Sequence, residues 1–179
     1  MANTLRYAFG DTSLGPLVAA VSERGLAFVG FDAGVADLEA RFPDAVLVED
    51  AAALKEAIGK IVGLIEQPDA AVAIDLDLQG TDFEVQVWKA LSEIPTGTTA
   101  TYGEIAARLG VPRQAREVGE ACAANKLAIV VPCHRIVKKD GSISGYRWGV
   151  RRKRALLERE HRARLLRPAG ANPHEMAAS

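Results

Sequence analysis

The tetrapeptide Pro132-Cys133-His134-Arg135 contains the residue types that could carry out covalent chemistry. A thiolate is a strong nucleophile, and neighbouring basic side chains favour the thiolate over the thiol. The proline removes a backbone donor and fixes the approach of the chain to the cysteine. Alternatively, Cys133 is an inert apolar residue of a buried strand, as most buried cysteines are. These four residues alone leave both interpretations open.

The apolar run at 127–137 predicts a strand around Cys133, and neighbouring side chains on a strand point to opposite faces. His134 could then act on the thiol only through a water molecule, or if the chain turns sharply here. Cys122 lies four residues after Val118 on the inner face of a predicted helix, which favours a structural role. Two cysteines and three scattered histidines lack the spacing of a disulfide scaffold or a metal site, so we expect no metal and no cofactor.

Helices predicted upstream and downstream would hold this segment. Capping boxes at Thr81-Asp82-Phe83-Glu84 and Thr101-Tyr102-Gly103-Glu104 each open a helix, and the second helix ends at Gly110. A further helix is predicted over 113–124. Two short helices around a tight turn are typical of a helix-turn-helix, although such corners also serve packing alone. A basic helix is predicted over 150–164.

The first 80 residues predict a small mixed unit of strands and helices. Two of its strands are joined by a hairpin at Glu23-Arg24-Gly25. Asp75 and Asp77 are expected on the exposed face of the last strand rather than as a carboxylate pair. The predicted order is strands at 5–9, 17–22 and 26–31, helices at 35–42 and 51–67, and an alternating strand at 71–80.

Charge is divided unevenly along the 179 residues, although the net charge is −1. Residues 1–80 contain 5 Lys and Arg against 13 Asp and Glu, whereas residues 81–179 contain 17 against 10. The second part would therefore attract a polyanion, unless its basic helices are only solvated faces. No apolar run approaches the ~20 residues of a membrane span, and the N-terminus lacks the features of a secretory signal. We expect a reduced, cytoplasmic protein that does not bind membranes.

A domain boundary is predicted near Gly80, where the pattern changes from strand to helix and the charge changes sign. The fold class is α/β, more narrowly α+β. A small sheet-and-helix domain would cover 1–80, and a mostly helical domain with the helix-turn-helix would cover 81–166. The tail at 167–179 contains two prolines and small polar residues and is expected to be disordered.

The segment RQAREVGEACAANKLAIVVPCHRIVKKDGSISGYRWGVRRKRALLERE resembles the active-site region of the O6-alkylguanine-DNA alkyltransferases, also called methylated-DNA–protein-cysteine S-methyltransferases. TDFEVQVWKALSEIPTGTTATYGEIAARLG, SERG and ARFPDA extend the similarity to roughly residues 5–163. Within the family, the sequence is most similar to the C-terminal repair half of the Ada proteins. The zinc-binding half is missing, so the resemblance implies a stand-alone repair protein. It also implies a ribonuclease-H-like fold for the N-terminal domain.

The resemblance implies a suicide reaction in which Cys133 accepts the alkyl group from O6-alkylguanine in double-stranded DNA. His134 would take the thiol proton through a water molecule and would be held by Glu160. Asn125 would brace the turn before the cysteine. Tyr102 would hydrogen-bond N3 of the flipped guanine and crowd the neighbouring phosphate. The protein would act as a monomer.

The remaining implied roles concern the base pocket and the DNA. The backbone N–H of Arg147 would donate to O6, Tyr146 would form a wall, and the carbonyls of Cys133 and Ile136 would accept from the exocyclic amine. Arg116 would enter the base stack in place of the flipped base. The implied DNA contacts are Arg116, Tyr102, Ala115, Gly119 and Arg135.

Simpler interpretations accompany these roles. Glu160 could be only a partner of basic neighbours on its own helix, Tyr102 plain core, and Arg116 a partner of Glu120. Glu117 departs from the family pattern, which has a small residue there, and could face the DNA. As a whole, the chain could instead be a lesion-binding protein that does not react, or a Cys–His hydrolase.

Overall fold

The computed structural model describes residues 3–70 and 72–167. Its N-terminal part is a four-stranded sheet of order β3-β2-β1-β4 with two helices. Neighbouring strands are antiparallel except for β4, which lies parallel to β1. The elements are β1 (Asn3–Thr12), β2 (Gly15–Val21), β3 (Leu26–Phe31), α1 (Val35–Arg41), β4 (Ala45–Glu49) and α2 (Ala51–Glu66).

The second part is mostly helical, and both predicted capping boxes form. The helix-turn-helix consists of α4 and α5, and Gly110 lies in its turn with φ +75°. Mixed α+β architecture is thereby confirmed. The elements are α3 (Asp82–Ser92), β5 (Ala100–Thr101), α4 (Tyr102–Arg108), α5 (Ala115–Ala123), β6 (Ile136–Val137) and α6 (Val150–Leu165).

Two predicted strands are wrong. Over 72–80 the chain makes only an isolated bridge between Leu76 and Leu26, and Asp77 is buried rather than exposed. The Asp77 carboxylate accepts from Ser22 Oγ at 2.6 Å and Gln79 Nε2 at 2.7 Å, so these side chains replace strand pairing there. Over 127–137 the chain folds into turns, and only Ile136–Val137 is a strand.

Two other differences concern lengths and a missed element. β4 was not predicted because it is short and largely exposed, with no apolar alternation strong enough to indicate a strand. The helix predicted from residue 113 begins only at Ala115, since the N–H of Gln114 donates to the carbonyl of Val111 in a turn.

The edge strand β3 supports the segment that carries the cysteine. The N–H of Val29 donates to the Lys126 carbonyl at 2.8 Å, and the N–H of Ala128 donates to the Val29 carbonyl at 3.0 Å. The largest buried cluster contains residues from both parts of the chain, such as Leu17 and Trp88. One core therefore ties the sheet to the helix-turn-helix, while the boundary near Gly80 stays a prediction.

The tail predicted to be disordered lies outside the described residues, except for Arg167. Across the described ranges, 3–70 and 72–167, no helix combines the length and apolarity that a membrane crossing requires.

Gly25→Ala should destabilise the fold. Gly25 has φ +147°, and a Cβ there would lie 2.4 Å from the carbonyl oxygen of Asp75. We expect a loss of about 2 kcal/mol or more in the free energy of unfolding, measured in urea. Gly59→Ala is the matched control, because Gly59 lies in α2 with open space around it. It should stabilise the protein by ~0.5–1 kcal/mol, and equal shifts for both variants would contradict this account.

Candidate active site

A single turn of 3-10 helix at Cys133–Arg135 carries the candidate nucleophile. The N–H of Cys133 donates to the Val131 carbonyl at 2.8 Å, and the N–H of Arg135 donates to the Pro132 carbonyl at 3.0 Å. Successive side chains in such a turn are about 120° apart, rather than on opposite faces as in a strand. Cys133 and His134 are both buried, with 6% and 0% of their surface exposed. The chain therefore makes the sharp turn that an interaction between the Cys133 and His134 side chains requires.

Asn125 organises the chain that leads to this turn. Its side-chain Nδ2 lies 3.1 Å from the Val131 carbonyl, 3.3 Å from the Leu127 carbonyl and 3.3 Å from Cys133 Sγ. Its Oδ1 accepts from the N–H of Leu127 at 2.9 Å. The same amide therefore closes the turn and provides a donor to the sulfur, which favours negative charge on it.

Backbone strain accompanies this turn. Ile129 has φ +72°, a conformation that β-branched residues rarely adopt and that costs on the order of 1–3 kcal/mol. The hydrogen bonds of Val29 and Asn125 hold the chain on either side of it. The turn that places Cys133 therefore lowers the stability of the fold at Ile129.

Burial raises the pKa of the Cys133 thiol to about 11, although the Asn125 hydrogen bond and the Lys153 charge oppose this rise. At neutral pH the resting side chain is therefore a thiol. Attack by sulfur requires a group that takes the proton.

His134 is the candidate for that group. Its Nε2 lies 2.7 Å from Glu160 Oε1, and burial lowers the pKa of the imidazole while Glu160 opposes this change. A neutral imidazole beside a carboxylate carries its proton on the nitrogen facing the carboxylate, which leaves Nδ1 as an acceptor. Among the described residues, Nδ1 is buried and has no hydrogen-bond partner. It is thus free to accept a proton.

Glu160 is held ionised by two neighbours. Burial alone would raise its pKa, but hydrogen bonds and charge from His134 and Arg135 lower the pKa to about 2. Arg135 donates from Nε at 3.0 Å to Oε2 and from Nη2 at 2.9 Å to Oε1. At neutral pH the Glu160 carboxylate is therefore ionised and bonded to the imidazole.

Arg135, a predicted DNA contact, faces inward. Only 14% of its side chain is exposed, because the guanidinium binds Glu160, the Ile94 carbonyl at 2.7 Å and Thr96 Oγ1 at 3.0 Å. These donors are used inside the protein, and the contact of Arg135 with DNA stays a prediction.

A cavity of about 470 Å³ opens beside the cysteine. It lies between the helix-turn-helix and the loop that precedes α6. Three predicted pocket residues, Cys133, Tyr146 and Arg147, line it, whereas Ile136 does not, although its carbonyl lies 3.4 Å from Ser144 Oγ. The lining residues are Tyr102, Gly119, Cys122, Ala123, Cys133, Gly145, Tyr146 and Arg147.

Cys122 lines the same cavity, which its place on a predicted inner helix face did not indicate. Burial raises the pKa of its thiol to about 12, and the neighbouring Cys133 adds to this rise. The N–H of Asn125 donates to the Cys122 carbonyl at 3.2 Å, but the Asn125 side chain donates to the sulfur of Cys133 and not to that of Cys122.

The loop between β6 and α6 forms the opposite wall. The Tyr146 ring packs edge-on against Trp148 at 5.3 Å, and burial raises the pKa of its phenol well above the usual value. Arg147 Nη1 donates to the Ala123 and Asn125 carbonyls, each at 3.2 Å. These bonds fix the loop to the end of α5.

Sequence reasoning missed two polar residues behind the pocket, Ser144 and Lys153. Lys153 Nζ donates to Ser144 Oγ at 2.8 Å, and Ser144 Oγ lies 2.7 Å from the Tyr102 hydroxyl. Lys153 is 0% exposed, although a lysine in a basic helix is expected to be solvated. The available signal was spacing, since Lys153, Leu156 and Glu160 lie three and four residues apart on one helix face.

The outer face of α5 contains the remaining predicted DNA contacts. Arg116 is 89% exposed and pairs with Glu120 at 3.6 Å, the simpler pairing that the sequence also allowed. Glu117 is exposed as well, and Ala115 and Gly119 are half-buried. Trp88 Nε1 donates to the Ala121 carbonyl at 2.9 Å, which anchors the helix to α3 and leaves this face outward.

Fold and site together define a helix-turn-helix protein with a buried thiol that lines a pocket and an adjacent imidazole bonded to a carboxylate. The family model described as "6-O-methylguanine DNA methyltransferase, DNA binding domain" matches residues 82–162. A methylated-DNA–protein-cysteine methyltransferase of Methanosarcina acetivorans is 38% identical over 154 residues, which cover 86% of this chain and 97% of that protein. The chain therefore belongs to the O6-methylguanine-DNA methyltransferase family.

Two further comparisons agree with this assignment. The regulatory protein Ada of Salmonella typhimurium is 45% identical over 161 residues, which cover 88% of this chain but only 46% of that protein. The chain thus spans about half the length of the Ada proteins it matches. The crystal structure of Mycobacterium tuberculosis OGT in complex with DNA has a TM-score of 0.78 and 37% identity, covering 88% of this chain and 94% of that one.

Glu160→Gln should change how stability depends on pH. The pKa of Glu160 is about 2 in the folded protein against an ordinary value of 4.5, so its contribution is complete above pH 4.5 and is lost as the pH falls toward 2. At pH 7 we expect the variant to be less stable by roughly 3 kcal/mol, because Arg135 and His134 lose a buried charge partner.

Urea unfolding at pH 7, 4 and 3 measures this effect. The difference between wild type and Glu160→Gln should shrink as the pH falls. Glu158→Gln, an exposed position on the same helix, is the control and should show a small difference at every pH. A constant difference for Glu160→Gln would show that the carboxylate is not held ionised.

Proposed function

We propose that this chain repairs DNA by transferring the alkyl group of O6-alkylguanine irreversibly to Cys133, as a methylated-DNA–[protein]-cysteine S-methyltransferase. The observation that carries the proposal is a buried thiol that lines a pocket beside a helix-turn-helix and is followed directly by His134, whose Nε2 bonds to Glu160 and whose Nδ1 has no partner among the described residues. A lesion-binding protein that does not react would have no use for the base and its ionised partner.

In the proposed reaction, Cys133 Sγ attacks the alkyl carbon while the bond from that carbon to guanine O6 breaks. The electron pair of that bond stays on guanine, which takes up a proton from water and remains in the DNA as the normal base. The thiol proton passes through a water molecule to His134 Nδ1, and the charge of Glu160 stabilises the imidazolium. Asn125 Nδ2 stabilises the sulfur as its negative charge develops.

The reaction should occur once per molecule. A thioether is a very poor leaving group, and none of the residues lining the pocket is placed to remove the alkyl group again. Cys133 must also stay reduced before it reacts, which supports a cytoplasmic location. We propose that the protein acts as a monomer.

A guanine inside duplex DNA can reach Cys133 only if it is flipped out of the stack, at a cost of a few kcal/mol. We propose that α5 lies in a DNA groove with Ala115 and Gly119 close to the backbone. The exposed Arg116 then enters the stack where the base has left. Tyr102 lines the pocket beside Gly119 and would donate to N3 of the flipped guanine. The basic second part of the chain attracts the phosphates.

The single-turnover reaction is tested by intact mass after incubation with a duplex containing O6-methylguanine. Wild type should gain one methyl group on the peptide that contains Cys133, and methyl removal should stop at one per protein molecule. Cys133→Ala should gain none but still bind DNA. Cys122→Ser is the matched control and should still be methylated. Sustained turnover, or loss of transfer in the Cys122 variant alone, would contradict the assignment.

Arg116→Ala tests the proposed flipping step. The variant should repair duplex DNA about tenfold more slowly or worse, because a flipped base costs a few kcal/mol that the arginine offsets. Its reaction with free O6-methylguanine should be unchanged, since the free base needs no flipping. Glu120→Ala removes the partner of Arg116 but keeps the arginine, so it should repair at nearly the wild-type rate. Equal losses on duplex and free base would mean that Arg116 does not enter the stack.

A further inference from the structure

Three polar side chains form a hydrogen-bonded row that ends at the candidate pocket. Lys153 Nζ lies 2.8 Å from Ser144 Oγ, and Ser144 Oγ lies 2.7 Å from the Tyr102 hydroxyl. Lys153 and Ser144 are 0% and 6% exposed. Tyr102 itself lines the cavity. The row therefore connects a buried cation to the pocket through one serine hydroxyl.

Elementary hydrogen-bond chemistry restricts the direction of this row. A lysine ammonium has three donors and no acceptor, so Ser144 Oγ must accept from Lys153. The serine retains one hydrogen, which can point to the Tyr102 hydroxyl at 2.7 Å or to the Ile136 carbonyl at 3.4 Å. In the first case the phenolic hydrogen of Tyr102 is released to point elsewhere.

Both arrangements are compatible with the distances from Ser144 Oγ to the Tyr102 hydroxyl and to the Ile136 carbonyl. When a base with an acceptor nitrogen enters the pocket, donation by Tyr102 to that base becomes possible. The serine hydrogen then needs to leave only the long contact with Ile136, and it gains the shorter contact with Tyr102. A charged donor at the start of such a row also strengthens the bonds that follow it.

We propose that Ser144 is a positioning residue that, with Lys153 behind it, directs the Tyr102 hydroxyl hydrogen toward a ring nitrogen of the leaving base. This inference rests on the proposed function and deepens it. As the bond to the alkyl group breaks, negative charge develops on the guanine, and a hydrogen bond from Tyr102 stabilises that charge. Lys153 and Ser144 touch no substrate atom and act only through Tyr102.

The surroundings of Lys153 support this role. Its hydrogen-bond partners among the described residues are Ser144 Oγ and the Gly145 carbonyl, and neither is a carboxylate. A buried ammonium without a carboxylate partner is costly to the fold. Burial lowers the pKa of Lys153, and negative charge on Cys133 or Cys122, when either is a thiolate, opposes this change. The cation is thus oriented toward the groups of the pocket.

The test compares two duplexes, one with O6-methylguanine and one with its 3-deaza analogue, in which carbon replaces the acceptor nitrogen N3. Single-turnover transfer rates are measured for wild type, Ser144→Ala, Ser144→Thr and Ser142→Ala. Ser142 is the matched control, because it is an exposed serine of the same loop whose hydroxyl donates to Asp140.

With the natural lesion, Ser144→Ala should react on the order of tenfold more slowly, the effect of losing one charge-assisted hydrogen bond. Ser144→Thr keeps the hydroxyl and should retain most of the rate, and Ser142→Ala should match wild type. With the 3-deaza lesion, wild type and Ser144→Ala should react equally slowly, because no acceptor is left for Tyr102. A purely structural role would slow both substrates by the same factor.

Three results would overturn the inference: equal slowing of both substrates by Ser144→Ala, no slowing of either, or a threonine variant as slow as the alanine variant. Failure of the proposed function is distinguishable, because wild type itself would then transfer no methyl group from the natural lesion.

Discussion

The buried carboxylate of Glu160 is the interaction on which the rest of the site depends. It binds the adjacent residues His134 and Arg135 together, and Arg135 also donates to the Ile94 carbonyl. Removing a charge from water costs free energy, so close partners of opposite charge must offset the desolvation of a buried carboxylate. The result is an imidazole of defined tautomer, and that definition makes Nδ1 an acceptor rather than a donor.

The same logic of full satisfaction explains the turn before the cysteine. A chain that leaves α5, contacts the edge of β3 and returns to the pocket exposes backbone carbonyls that no regular ladder can bind. The Asn125 side chain donates to the Val131 carbonyl, and Arg147 donates to the Asn125 carbonyl just after α5. Polar groups that seem incidental in the sequence therefore determine where the sulfur lies.

Much of the fold could be predicted from the sequence, since capping boxes, helical spacing and a glycine hairpin are local signals. Gly110 and the Thr101–Glu104 box, for example, place α4 to within a residue or two. The strand predicted around Cys133 failed because an apolar run indicates burial but not backbone shape, and proline with a long-range asparagine decided the shape here. The prediction that Asp77 is exposed failed for a similar reason, because its partner Ser22 lies 55 residues away in the sequence.

The site shows the same division between local and long-range information. A short motif and a family resemblance indicated Cys133, His134 and Glu160. They could not indicate that Arg135 faces inward, because that depends on where α6 and the end of α3 meet.

Burial of the Cys133 thiol has two opposite effects on the reactivity of its sulfur. It raises the pKa to about 11 and so keeps the sulfur protonated and unreactive toward solvent oxidants and electrophiles. Burial also removes the hydrating water that would lower the nucleophilicity of a thiolate once it forms. Under the proposed function, the base, the Asn125 donor and the pocket would allow sulfur to become nucleophilic only where an electrophilic carbon is held. Protection of the thiol before its single reaction would then matter as much as speed during it.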